Sequence, residues 1–196
     1  MSRRRRCLIS LLGLMATLPA AAHLMENQQG TLNLVDARGY LVISLPVSAL
    51  RGVDDNRDGR LDSRELQRHG GSIERDLRSR VRISDGGVAA PLEGVLLNLS
   101  ADEQHREGGP ATHLVMLAVA MFPQPPSRPQ LELRVFGRSS AEQSYRFVAT
   151  RRSAAGRNEE DLRQFTPRSP RHEFFDSSAR RSSSSSRENA RLGNRQ

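Results

Sequence analysis

The chain lacks lysine altogether and has one cysteine, Cys7. A single thiol, placed near the N-terminus, leaves no disulfide to staple the chain, so core packing has to hold it, with whatever help a metal supplies. All 30 basic residues are arginine, and this Ala-, Arg- and Gly-rich usage is that expected of GC-rich bacterial coding. Long hydrophobic runs are also missing. The one apolar stretch, Cys7 to Leu18, is shorter than a membrane span needs.

Enzyme signatures are absent too. There is no Gly-rich phosphate loop, no H-E-x-x-H and no G-x-S-x-G. The five histidines, His23, His69, His105, His113 and His172, are scattered without metal-ligand spacing. No enzymatic activity is expected. No aromatic-interleaved or basic recognition module is present, so no nucleic-acid partner is expected either.

What is present begins with a leader. Arg3 to Arg6 form a basic n-region, the apolar run follows, and Ala20-Ala21-Ala22 offers an A-x-A cleavage site. Residues 1–22 therefore read as a signal peptide, with His23 first in the mature chain and a periplasmic or secreted destination. The twin arginines leave Sec and Tat routes both open. After cleavage the chain is not expected to be an integral membrane protein.

Net charge has to be divided to be read. Residues 23–150 hold 15 arginines against 16 acids, whereas 151–196 hold 11 against 6. The expected folded part is near neutral, and the basic excess lies in the ends. Residues 177–196, with Ser182 to Ser186 in a row, carry too little apolar surface to offset the entropy of folding and read as a disordered Ser/Arg-rich tail.

The most specific stretch is 54–65. Counted as a twelve-residue loop, it places Asp54, Asn56, Asp58, Asp62 and Glu65 at positions 1, 3, 5, 9 and 12, with Gly59 at position 6. Calcium is a hard cation that takes about six to eight oxygen ligands. Alternate side chains of a tightly curled loop converge on one point, and Gly59 permits the sharp bend. Arg60 at position 7 contributes its backbone carbonyl. Asp62 acts through water, and Glu65 closes the site with both carboxylate oxygens. Leu61 turns inward and pins the loop to a core. An ordinary Asp/Asn/Gly turn needs one or two such residues, not a carboxylate twelve positions along followed by a helix.

On these residues the stretch resembles the EF-hand calcium loop. The resemblance implies Ca2+ as the cofactor, held by Asp54, Asn56, Asp58, Arg60, Asp62 and Glu65. Dockerins use a similar loop in two copies; one copy is present here.

Along the rest of the chain, 31–36 and 40–45 alternate as strands joined by a turn at Asp36 to Gly39. Pro46 opens a short entering helix of at most two turns. An exiting helix spans 63–69, Gly70-Gly71 breaks it, and a further helix starts at Ser72 with Ile73, Leu77 and Val81 on one face. Asp76 and Arg80 are spaced as an i,i+4 pair. Residues 79–84, 88–99, 112–121, 131–136 and 144–150 read as further strands, with a polar loop at 100–111 and a Pro-rich link at 123–129. The expected fold is α+β: a mainly antiparallel, Ig-like β-sandwich over 23–150, with a helix–EF-loop–helix inserted at about 46–83. A polar extension, 151–176, has room for one further strand, or Phe165, Phe174 and Phe175 dock on the sandwich.

The layout of exported start, strand pair, one EF-like loop and more strands is similar to the extracytoplasmic part of bacterial hydrogenase/urease-accessory type membrane proteins. Those continue into membrane helices, for which this sequence shows no apolar run, so only the architecture carries over. The expected function is that of an exported calcium-binding protein whose ion stabilises a structural or interaction module. The alternatives are an accessory protein for metal uptake or a membrane partner, and a calcium-dependent protein-binding module with an unknown protein partner.

Overall fold

Alternation drives the first hairpin. Leu32 and Leu34 of β1 (Gln29–Val35) and Leu41, Ile43 and Leu45 of β2 (Arg38–Pro46) are all buried, while their neighbours Thr31, Asn33 and Tyr40 face outward. The register Leu32↔Leu41 to Val35↔Arg38 leaves only Asp36 and Ala37 in the turn. Asp36 takes φ 50°, a left-handed conformation that a short polar side chain tolerates and a tight hairpin favours.

The computed structural model describes residues 28–100, 109–153 and 156–176. The expected signal peptide, tail and most of the polar loop at 100–111 lie outside the described residues. In chain order the elements after β2 are a 3₁₀ turn (Val47–Ala49), α1 (Ser63–Arg80), β3 (Val81–Asp85), β4 (Val88–Ala90), β5 (Leu92–Leu99), β6 (His113–Met121) and β7 (Pro129–Leu133). A second 3₁₀ turn (Ser140–Gln143), β8 (Tyr145–Arg152), β9 (Asn158–Phe165) and β10 (Arg171–Glu173) complete the order. They form a six-stranded sheet, β5-β6-β2-β1-β8-β9, and a four-stranded sheet, β10-β7-β3-β4. Pairing is antiparallel except that β1 runs parallel to β8. One apolar core draws on both sheets and on Ile73 and Leu77 of α1. Among the described residues no helix is long and apolar enough to cross a membrane.

The fold is thus α+β and rich in strands, as composition and alternation predict. Four local expectations are corrected. The entering helix is only the 3₁₀ turn Val47–Ala49, followed by extended chain at Leu50. Pro46 and the three β-branched or small residues after it, Val47, Ser48 and Ala49, give no helical face long enough to offset nucleation. The exiting helix does not break at Gly70-Gly71, because α1 runs unbroken for 18 residues. Each glycine costs about 1 kcal/mol against alanine, but both sit where no side chain would touch anything, and Ile73 and Leu77 anchor the turns beyond them. The strand expected over 88–99 is two, divided at Pro91. Finally, the extension 151–176, expected to have room for one further strand, supplies two. β8 runs to Arg152, β9 adds a full edge strand to the larger sheet, and β10 adds one to the smaller.

The far end of the core is aromatic. Phe147 meets Phe165 edge-on at 5.5 Å between ring centres and Phe174 at 6.4 Å. Gly30 of β1 lies against the Phe147 ring, and a Cβ there would come within 2.0 Å of it. Glycine is required at that point by close approach rather than by backbone angle.

In the smaller sheet a buried carboxylate ties β7 to β10. Glu132 accepts hydrogen bonds from Arg134 and, at 2.5 Å, from Arg171. Arg171 beside it, with Arg134 adding to the effect, holds its pKa below the usual 4.5 against the opposing pull of burial. A depressed folded pKa makes the charge a stabilising term above the unfolded pKa, lost as pH falls through the folded one. Glu132→Gln is therefore expected to lower the urea midpoint at pH 7. The gap to the parent should narrow as pH drops below about 4. A gap independent of pH would show that the pair contributes nothing through charge.

Candidate metal centre

The loop 54–65 hangs between the 3₁₀ turn and α1, anchored at both ends by apolar residues. Val53 and Leu61 are buried at 4% and 0% exposure, whereas Asp55, Asn56, Arg57 and Asp58 are exposed. The chain between curls tightly because two residues take left-handed angles: Arg57 at φ 60° and Gly59 at φ 77°. For Gly59 this is free. For Arg57 it costs about 1–2 kcal/mol, which the surrounding bonds have to offset.

Those bonds come from the residues singled out in the sequence. Asp54 accepts from Asp58 N–H at 3.2 Å and from Gly59 N–H at 2.9 Å, one on each carboxylate oxygen. Asn56 Oδ1 accepts from Asp58 N–H at 2.9 Å. Asp58 accepts from Arg60 N–H at 2.8 Å and from the Asn56 amide at 3.0 Å. Three alternate side chains thus turn into the curl and line its inside. Asp62 caps α1, one oxygen accepting from Arg64 and Glu65 N–H, each at 2.8 Å. Glu65 completes a capping box by accepting from Asp62 N–H at 3.0 Å. Its other oxygen reaches back across the loop to Asp55 N–H at 2.8 Å. Glu65 is 5% exposed, an uncommon position for a carboxylate, and it joins the two ends of the loop.

Position 8 does a separate job. Leu61 and Ala111 exchange two backbone hydrogen bonds, at 2.9 and 3.0 Å, in an isolated antiparallel bridge just ahead of β6. The Arg60 guanidinium reaches Pro110 O alongside. The loop is therefore stitched by one bridge to the chain just ahead of β6.

Two residues that sequence reasoning passed over brace the entry. Asp55, at position 2, accepts from Arg68 and bonds His69 at 2.9 Å on α1. His69, then Arg68, keep the Asp55 carboxyl below the ordinary carboxylate range. The only sequence signal for this pair is the spacing of His69 one helical turn after Glu65. Ala111 carries no side-chain signal at all.

The donors fit a hard cation in kind. Five carboxylates, one amide oxygen and the Arg60 carbonyl fall within twelve residues, and four of the carboxylates, all but Asp55, stand at the expected ligand positions. A carboxylate has about four lone-pair sites, and Asp54, Asp58 and Asp62 each use two for the bonds named above. The side chains are engaged with the loop's own N–H groups in this conformation. Among the described residues no three His, Cys, Asp or Glu side chains are gathered closely enough to hold a metal ion. Acceptor capacity remains, but the carboxylates stand apart. No protein-family model matches the chain, and no curated protein matches it.

Proposed function

We propose that this chain is an exported calcium-binding protein in which one EF-hand loop stabilises a β-rich interaction module. The observation that carries the reading is the curl of residues 54–60, bent at left-handed Arg57 and Gly59, in which the side chains of Asp54, Asn56 and Asp58 all accept from the loop's own N–H groups. Asp54, Asn56, Asp58 and Glu65 would hold Ca2+ with their side chains, Arg60 with its carbonyl, and Asp62 through water. The ion would draw together and neutralise carboxylates that stand apart in this conformation. The chain's own share of the work is done by Leu61, which fixes the loop to the sheet, and by Asp62 and Glu65, which start α1 under it.

The leader-like residues 1–22 support export, and outside the cytoplasm a site of about 10⁻⁴–10⁻³ M suffices. Arg57, Arg60 and Arg64 within the loop weaken its field and favour that range. The finer reading of the fold, an Ig-like sandwich, is supported by the single apolar core that residues of both sheets share.

Calorimetric titration of the mature chain tests the proposal. Calcium heat saturating below a few millimolar is expected, and Glu65→Gln should weaken binding more than Asp62→Asn. Glu65 offers two direct oxygens, whereas Asp62 offers one through water. No heat up to several millimolar would sink the reading, and equal losses in the two variants would overturn the division of roles.

A further inference from the structure

A cleft beside the first 3₁₀ turn collects cations without anions. It has a volume of about 330 Å³, and Arg51, Arg80, Arg134 and Arg138 line it together with Phe136 and Gln143; no carboxylate does. Chance grouping is a poor explanation in a segment, 23–150, where acids match arginines almost one for one. Arg80 and Arg134 are partly neutralised, by Asp76 and Glu132 respectively. The Arg51 and Arg138 side chains are exposed and make no ion pair or hydrogen bond among the described residues. Glu142, which accepts from Ser48 of the cleft wall, adds a third carboxylate at the margin, so four guanidinium groups face three carboxylates and positive charge is left over on the side of Arg51 and Arg138.

The floor is short of acceptors as well. Arg80 Nε is buried and has no hydrogen-bond partner among the described residues, and its Nη atoms share only Ala49 O and Asp76. Beneath Phe136, edge-on at 5.6 Å, lies the wholly buried Tyr145, whose hydroxyl also lacks a partner among the described residues. Burial above all raises the pKa of that hydroxyl. An unmatched donor in the wall, Arg80 Nε, and unmatched guanidinium charge in one place call for a ligand with several anionic oxygens.

We propose that this cleft binds a phosphate-type oxyanion, held by Arg51 and Arg138 at the mouth and Arg80 and Arg134 behind them. The same chemistry is presented by free phosphate or a phosphomonoester and by a phospholipid headgroup. The site does not depend on the calcium reading, and it can be tested with the metal chelated.

The probe is inorganic phosphate, titrated calorimetrically into the full chain in EGTA at low ionic strength. Saturable binding is expected, weakened at least tenfold by Arg51→Gln combined with Arg138→Gln. Both side chains are exposed, and an unchanged melting temperature would verify that the variant folds. The comparison pair, Arg146→Gln with Arg157→Gln, removes two exposed arginines outside the cleft and should leave the affinity within twofold. Parallel sedimentation with phosphatidylglycerol and phosphatidylcholine vesicles separates the sources. Phosphatidylglycerol binding that is lost in the cleft variant, together with phosphate binding, assigns a lipid headgroup; phosphate binding without vesicle binding assigns a free phosphate compound. No saturation by 20 mM phosphate, or equal losses in the cleft and comparison variants, would overturn the proposal and leave only diffuse surface charge.

Discussion

Phe147→Ala is expected to lower the unfolding free energy by about 3–5 kcal/mol, the cost of removing a buried ring that its surroundings cannot refill. Phe147 is fully buried, and its neighbours Phe165 and Phe174 are rings held by separate strands or loops that cannot all move inward together. Domains are stable by about 5–15 kcal/mol, so this single change removes a large fraction of the total. For a domain of this size the melting temperature should fall on the order of 10 °C. Urea denaturation followed by circular dichroism reads it, and a change below 1 kcal/mol would show that the ring is not packed as described. Leu162, on the outward side of β9 and 48% exposed, supplies the contrast, since its replacement by alanine should cost far less.

The same contact can be attacked from the other side. Gly30→Ala drives a methyl group into the Phe147 ring, and overpacking of this kind costs about 1–3 kcal/mol. The two sites should not be additive. Phe147→Leu in the Gly30→Ala background should recover part of the loss, because the smaller side chain vacates the space the methyl needs. Simple additivity of the two changes would place Gly30 elsewhere.

Calcium should raise the melting temperature by roughly 4–7 °C. A ligand that binds the folded loop and hardly binds the unfolded chain stabilises by RT ln(1 + [L]/Kd). With a site near 10⁻⁴ M and about 2 mM calcium, that comes to about 1.8 kcal/mol. Glu65→Gln should abolish the shift, since it removes the one carboxylate that contacts both ends of the loop. In EDTA the sheet signal by circular dichroism should persist, because Leu61 is the loop's only member of the shared core. Loss of the sheet on chelation would show that the loop organises the fold rather than decorating it. An unchanged melting temperature would mean an EF-like loop that holds its own N–H groups and no ion at physiological calcium.

Parts of this molecule are legible from its residues, and the reasons are local. β1 and β2 alternate cleanly, so their existence and their inward residues follow from a period of two. The loop is legible because a hard cation would dictate residue types at fixed offsets. β9 is different. Glu159, Asp161 and Arg163 point toward the core side of an edge strand, and they are matched there by Arg151, by each other and by Phe175 N–H. Charges turned inward protect an edge from pairing with other chains, and they also erase the apolar pattern from which a strand is read. The unbroken α1 was hidden for another reason: Gly70-Gly71 is locally unfavourable, and only the tertiary burial of Ile73 and Leu77 overrides it. The Arg51–Arg138 cleft had no signal, since its members come from four separate segments.

The parallel contact between β1 and β8 sets a timetable. Asn33 and Thr150, which share a hydrogen bond across that seam, are 117 residues apart. β1 sits in the interior of the larger sheet, so until β8 exists it offers a bare row of N–H and C=O groups on one side. Synthesis at about 5–20 residues per second leaves that seam open for roughly 6–23 seconds, and closing so long a loop costs on the order of 4 kcal/mol in chain entropy. A chain terminated before Tyr145 keeps the first hairpin and loses its partner, and with it Phe147, the ring that covers Gly30. The larger sheet is therefore closed around β1 only once β8 has been made.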